Sequence, residues 1–82
     1  MMPARTFDSV RDNPLAGDVV ELLELEEDAE HYETMLRVIC VAEEWVWFKE
    51  YGKPGRHTLH MQLWKERLAE AQCGKVIPPA GL

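Results

Sequence analysis

The sequence predicts an all-α protein, a helical hairpin, and three observations lead to this fold class. No glycine or proline occurs between Val19 and Tyr51. Asp18 and Thr58 each precede a stretch of periodic apolar residues and have side chains typical of helix N-caps. Apolar residues recur at three- and four-residue steps in both stretches, which is the period of an amphipathic helix.

The first predicted helix spans residues 18–51. Glu21 follows Asp18 at the spacing of a capping box, and a helix of this length would extend for about 50 Å. One apolar stripe of this helix contains Leu22, Leu25, Ala29, Tyr32, Leu36, Ile39, Cys40 and Trp47. Acidic residues occupy most of the opposite side of its N-terminal half, so we expect that half to be amphipathic.

The remaining segments fit one small helical domain, since a chain of 82 residues has only a thin core. The prediction divides the chain into an N-terminal arm (1–17), the first helix (18–51), a loop (52–57), a second helix (58–73) and a tail (74–82). The arm is expected to be extended, with room for one helical turn, because its apolar residues are isolated. The tail is rich in proline and cannot continue the second helix.

A β-hairpin is the alternative for the segment WVWFKEYGKPGRHTLHMQLW. Aromatic and β-branched residues precede a Gly-Lys-Pro-Gly turn, and Leu59, Met61 and Leu63 alternate after it. The first arm of this hairpin alternates poorly, because its apolar residues from Trp45 to Phe48 are contiguous. The helical period through Leu36 and Ile39 therefore favours the helical hairpin.

Self-association is predicted from the uneven lengths of the two helices. The second helix would cover roughly half of the first, and the first becomes apolar nearly all round after Met35. Uncovered apolar surface of that extent usually marks a contact surface. We expect a homodimer or higher oligomer, most simply a dimeric helical bundle.

The charge balance predicts the class of partner. A formal net charge of −6 and a pI of about 4.9 argue against direct nucleic-acid binding and favour a protein partner with a basic surface. Only two cysteines are present, which favours a reducing compartment and therefore the cytoplasm. No apolar run reaches the roughly 20 residues that a membrane-spanning helix needs, so we expect no membrane contact.

The predicted function is that of a small acidic protein-protein interaction module, an adaptor or inhibitor of the kind encoded by phages or mobile elements. The partner-binding residues are expected to be the acids of the first helix. They are Glu21, Glu24, Glu27, Asp28, Glu30 and Glu33. A basic partner site should be complementary to these carboxylates.

An alternative function is the binding of a small ligand or nucleotide by an oligomer. Aromatic and basic side chains are concentrated near the predicted loop, where a base and a phosphate could be held. These residues are Trp45, Trp47, Tyr51, Lys53 and Arg56. A purely structural oligomer is the third possibility.

Catalysis is not expected. The sequence contains no nucleophile elbow, no glycine-rich phosphate loop and no HExxH motif. His57 and His60 would share one side of a helical turn and are weak candidates for a metal pair, but a third ligand at defined spacing is missing. We therefore predict no cofactor and no metal.

Overall fold

The computed structural model describes residues 5–25 and 31–78. The elements of the described chain are helix α1 (Phe7–Asp12), strands β1 (Val19–Leu25), β2 (His31–Ala42), β3 (Trp45–Glu50) and β4 (His57–His60), helix α2 (Met61–Glu70) and strand β5 (Cys73–Val76). The fold is therefore built on strands, with short helices at the start and near the end.

The strands form one antiparallel sheet in the order β4-β3-β2-β1-β5. The first four strands follow one another as a meander. Helix α2 then carries the chain from the β4 edge to the opposite edge, where β5 pairs with β1. As a result, β1 near the start of the chain lies between the long central strand β2 and the last strand.

The strand β2 is long enough to serve two neighbours. Residues His31–Arg37 pair with β1, and residues Leu36–Ala42 pair with β3. The register with β3 shifts between Val38 and Cys40, which is a β-bulge or a similar irregularity. A bulge bends its strand and increases the local twist, so the two halves of β2 can belong to differently directed parts of the sheet.

The core lies between one face of the sheet and the two helices, and we call this side the helix face. Burial in β3 alternates residue by residue, with Val46, Phe48 and Glu50 on the helix face. The buried cluster consists of Val10, Val20, Leu22, Leu36, Val38, Val46, Phe48, Trp64 and Leu68. The opposite side, the outer face, carries Trp45 and Trp47 and has no helix packed on it among the described residues.

Trp64 connects the two helices to the sheet. Its side chain is fully buried, its ring lies 5.5 Å from that of Phe48, and its Nε1 donates a hydrogen bond to the carbonyl oxygen of Val10 at 3.2 Å. The burial of one large side chain contributes about 1.5–3 kcal/mol. Trp64 therefore holds α1 and α2 on the same face of the sheet.

The predicted all-α helical hairpin is wrong. Residues 18–51 contain β1, β2 and β3 in place of one long helix, so Asp18 does not begin a helix. The apolar stretch from Val38 to Phe48 is rich in β-branched and aromatic side chains, which pack well on a pleated sheet. The apolar residues that the prediction placed on opposite sides of one helix lie instead on the two faces of paired strands.

The second predicted helix is only partly helical. Helix α2 covers Met61–Glu70, and its N-cap is His60, whose Nδ1 accepts a hydrogen bond from the backbone N–H of Gln62 at 3.2 Å. Thr58, the predicted cap, lies within β4. Pairing of β3 with β4 forms the alternative β-hairpin as far as His60, but Met61 and Leu63, which that alternative placed in its second arm, belong to α2.

Both ends of the described chain are more ordered than an arm and a tail. Helix α1 begins after Thr6, whose Oγ1 accepts a hydrogen bond from the backbone N–H of Ser9 at 3.1 Å. Strand β5 occupies the start of the predicted tail. Neither α1 nor α2, the helices of the described residues, has the length and apolar character that a membrane span requires.

Candidate functional site

The candidate site is a groove between α2, β4 and the end of β1, which we call the acidic groove. Its volume is about 540 Å³. The apolar part contains Leu25, Leu59, Leu63 and Ala71. Leu25 and Leu63 are about half exposed, at 52% and 51%, although they are large apolar side chains. The groove therefore offers apolar surface that the described chain leaves uncovered.

Carboxylates form the rim of the acidic groove. Leu63, Glu66 and Glu70 occur at helical spacing on α2, so they belong to one face of that helix. Glu24 of β1 lies across the groove from them. The exposed side chains of Glu66 and Glu70 give this rim its free negative charge.

Arg67 closes the bottom of the groove through an ion-pair network. Its Nε and Nη2 donate to the two carboxylate oxygens of Glu24 at 3.2 and 3.0 Å, and Nη2 also donates to Oε1 of Glu50 at 3.0 Å. Lys53 Nζ lies 2.8 Å from Oε2 of Glu50. The guanidinium of Arg67 lies 5.9 Å from the centre of the Phe48 ring. This arrangement joins β1, the end of β3 and α2.

The pKa shifts of Glu50 and Arg67 favour their charged forms. Burial alone would raise the pKa of Glu50, but the hydrogen bonds and positive charges of Lys53 and Arg67 outweigh burial and hold this pKa below its ordinary value. Burial alone would lower the pKa of Arg67, but its bonds to Glu24 and Glu50 raise it. Because Glu50 is held as a carboxylate, it is suited to fixing Arg67 and unsuited to donating a proton at neutral pH.

A second cavity continues from the acidic groove, and we call it the cationic cleft. It has a volume of about 500 Å³ and is lined by Phe48, Glu50, Lys53, Arg56, His57, Thr58, Leu59 and Arg67. Leu59 and Arg67 line both cavities. The ring of His57 stacks on Phe48 with 5.7 Å between ring centres, and its Nε2 is buried without a hydrogen-bond partner among the described residues.

Comparison with known proteins gives no relationship from which a function could be transferred. No protein-family model, curated protein or solved structure matches this chain. Within residues 5–25 and 31–78, no three histidine, cysteine or acidic side chains are grouped as metal ligands.

Of the predicted acidic binding residues, the three that the structure describes do not form one surface. Glu24 lies at the acidic groove, whereas Glu21 and Glu33 occupy positions on the outer face of the sheet. Side chains alternate between the faces of a strand, so an acidic run that would cover one side of a helix is divided here. Glu27, Asp28 and Glu30 lie outside the described residues.

The predicted aromatic and basic residues are also divided. Lys53 and Arg56 both line the cationic cleft, and Tyr51 is half exposed in the same β3–β4 connection. Trp45 and Trp47 lie on the outer face, with 46% and 39% of their surfaces exposed. The structure thus brings the two cations together and separates them from the two tryptophans.

The two candidate metal histidines face opposite ways. His57 pairs with Phe48 in the sheet and stacks on it, on the helix face. His60 pairs with Trp45, contacts its ring edge-on at 5.4 Å between centres, and lies 3.1 Å from Glu44 Oε2. A three-residue step places two side chains on one side of a helix but on opposite faces of a strand.

The residues missed by the sequence analysis are those of the exposed stripe of α2. Leu63, Glu66 and Glu70 are not among the binding residues that the sequence predicts. The sequence does contain a signal for this surface. An apolar residue followed at helical spacing by two acids predicts a mixed, partner-binding helix face rather than a core face.

Proposed function

We propose that this chain is a protein-interaction module that binds a basic amphipathic segment of a partner protein in the acidic groove. The observation that carries this proposal is the joint position of Leu25 and Leu63. Both are half exposed, and both line a groove whose rim bears Glu66 and Glu70. An apolar floor with an acidic rim is complementary to a segment with apolar anchors and flanking Lys or Arg.

The dimensions of the acidic groove favour a short segment. A volume of about 540 Å³ accommodates a few side chains and lies within the range of about 300–1,000 Å³ that is usual for binding pockets. A single helical turn or a short extended peptide can place two apolar anchors there. The surrounding carboxylates would then exclude acidic competitors by repulsion.

Binding rather than catalysis fits the chemistry of the site. Glu24, which lines the acidic groove, and Glu50, which lines the neighbouring cleft, are both engaged by Arg67. Their role in this proposal is to hold α2 at a fixed distance from β1 and to keep the groove open. A pre-formed groove lowers the entropy cost of binding.

The test uses the whole chain and a synthetic peptide in which leucines and lysines alternate at helical spacing. Amide resonances of residues around Leu25, Leu63 and Glu70 should shift on addition of the peptide. The double variant Glu66→Lys, Glu70→Lys should weaken binding about tenfold or more, and the wild-type affinity should fall as salt increases.

The matched control carries the same change of charge on the outer face, in the double variant Glu21→Lys, Glu33→Lys. These two side chains lie outside the groove, so the affinity of the control should remain close to that of the wild type. Equal weakening in the two double variants would show non-specific attraction between charges. Resonance shifts confined to Trp45 and Trp47 would place the peptide on the outer face and contradict the proposal.

Self-association and a cytoplasmic location stay predictions. The dimer was predicted from the uncovered apolar surface of a long helix, and strands take the place of that helix. The exposed tryptophans of the outer face now give self-association its only support in the described chain. Cys40 and Cys73 are both unpaired, as expected in a reducing compartment.

A further inference from the structure

We infer that the partner segment is bipolar, with its basic residues at the acidic groove and an oxyanion in the neighbouring cationic cleft. This inference rests on the proposed function, because it assigns the second part of the same binding surface. The oxyanion is a carboxylate or a phosphate group, which share the oxygen acceptors that guanidinium and ammonium groups bind.

The cationic cleft has more positive charge than its own carboxylate uses. Lys53, Arg56 and Arg67 line it together with a single acid, Glu50. Glu50 accepts from Lys53 at one oxygen and from Arg67 at the other. Arg56 is exposed and forms no ion pair with any described residue. Its guanidinium is therefore the free donor of the cleft.

The wall of the cleft contains a second polar group without a hydrogen-bond partner among the described residues, the His57 imidazole. Nε2 of His57 is buried and has no hydrogen-bond partner among the described residues. Buried polar atoms are almost always paired in folded proteins, with protein, water or ligand. An oxyanion between Arg56 and His57 would accept from the guanidinium and from an imidazole N–H.

The two cavities are neighbours that share part of their lining. Leu59 and Arg67 belong to both, so a segment that lies along Leu59 passes from one cavity to the other. On one side of Arg67 it meets the free carboxylates of Glu66 and Glu70. On the other side it meets Arg56. Opposite charges at the two ends of the surface determine the direction in which a bipolar segment binds.

The backbone that leads to Arg56 forms a turn. Gly52 and Gly55 of the β3–β4 connection have φ angles of 89° and 82°, which glycine adopts without strain. The backbone N–H of Lys53 donates to the carbonyl oxygen of Glu50 at 3.1 Å. The connection is therefore a defined turn that presents Arg56 next to the start of β4.

The experiment compares peptides that share one leucine-lysine core and differ only at the terminal residue. The terminal residue is alanine, glutamate or phosphoserine, placed at either end, with both peptide termini blocked. At one of the two ends, glutamate or phosphoserine should raise the affinity for the whole chain about tenfold over alanine. The ratio of the glutamate gain to the phosphoserine gain identifies which oxyanion the cleft prefers.

The variant Arg56→Ala should remove this gain, so that peptides ending in alanine, glutamate or phosphoserine bind the variant with similar affinity. The matched control is Lys49→Ala, which removes an exposed cation from the outer face and should retain the gain. If the three peptides bind equally well at both ends, the bipolar inference is wrong while the proposed function stands. If none of them binds, both are wrong.

A separate titration with inorganic phosphate alone tests the source of the anion. Resonance shifts around Arg56 without any gain for the glutamate or phosphoserine peptides would indicate a site for a free anion. That result would contradict the bipolar inference. Phosphate that competes with the anionic end of the peptide, and not with the alanine peptide, supports it.

Discussion

Gly74 is the residue on which the position of α1 depends. A Cβ atom at this position would overlap Cε2 and Cζ of the Phe7 ring. Phe7 belongs to α1 and packs against the core, so the missing side chain of Gly74 makes room for the helix on β5. Glycine at this position lets an aromatic ring approach a strand closely.

Substitution of Gly74 by alanine should displace Phe7 and destabilise the protein by about 1–3 kcal/mol, which is typical of overpacking. Chemical denaturation followed by tryptophan fluorescence measures the change. The control is the same substitution in a Phe7→Ala background, where the obstructing ring is absent. The cost of Gly74→Ala should largely disappear there; an undiminished cost would show that the ring is not its cause.

At the scale of the elements, the connections between strands explain which parts of the fold could not be predicted from the sequence. The β2–β3 connection is formed by Glu43 and Glu44, and Glu43 has a φ of 57°, a conformation that glycine and asparagine prefer. A sequence without a turn residue at this point predicts a continuous helix. The β3–β4 connection contains Gly52, Pro54 and Gly55, and there the hairpin was at least an alternative.

Glu43→Gly should stabilise the protein by about 0.5–1 kcal/mol. The substitution relieves the left-handed conformation, which costs a non-glycine residue roughly 1–2 kcal/mol, and glycine's extra freedom in the unfolded chain offsets part of the gain. The free energy of unfolding is obtained from urea titration. Glu44→Gly is the control, because Glu44 has no positive φ, and it should be neutral or destabilising. Stabilisation of similar size in both variants would contradict the role of backbone strain.

At the scale of the molecule, the ion-pair network ties distant parts of the chain together. Glu24 in β1, Glu50 at the end of β3 and Arg67 in α2 are joined within hydrogen-bonding distance. Lys53 extends the network into the β3–β4 connection. Removal of one member leaves the remaining charges partly buried and unpaired, which costs more than the pair itself contributes.

The pH dependence of stability should show the contribution of Glu50. Its pKa in the folded protein is lower than the ordinary 4.5, so its stabilising effect is complete above about pH 4.5 and is lost as the pH falls through the folded-state value. Glu50→Gln should lower the free energy of unfolding by about 1–3 kcal/mol at pH 7. Urea titrations at several pH values should show the wild type and the variant converging in acid.

The control for this experiment is Glu33→Gln. Glu33 is an exposed residue of β2 that forms no ion pair within the described part of the chain. Its substitution should change the free energy of unfolding at pH 7 by less than about 0.5 kcal/mol. A gap between wild type and Glu50→Gln that persists undiminished in acid would mean that the carboxylate charge is not responsible.

The site could be predicted only in fragments. Lys53 and Arg56 are close in sequence, and their proximity in the cationic cleft follows from a short connection. Glu24 was named as a binding residue, but the groove on which it borders requires Leu63 and Glu70 from a helix far along the chain. A surface formed by β1, β4 and α2 has no local signature, because its members meet only after the sheet has formed.

The sequence by itself determined the features that depend on neighbouring residues. Helix α2 follows from a run of strong helix formers after His60, the β3–β4 turn follows from its glycines and proline, and the acidic character follows from composition. Only the tertiary structure decided that residues 19–25 and 31–42 are strands. A helix satisfies its hydrogen bonds within the segment, whereas β1 requires Leu36 on one side of Val20 and Val76 on the other. Those partners are distant in the chain, so no local pattern could select them.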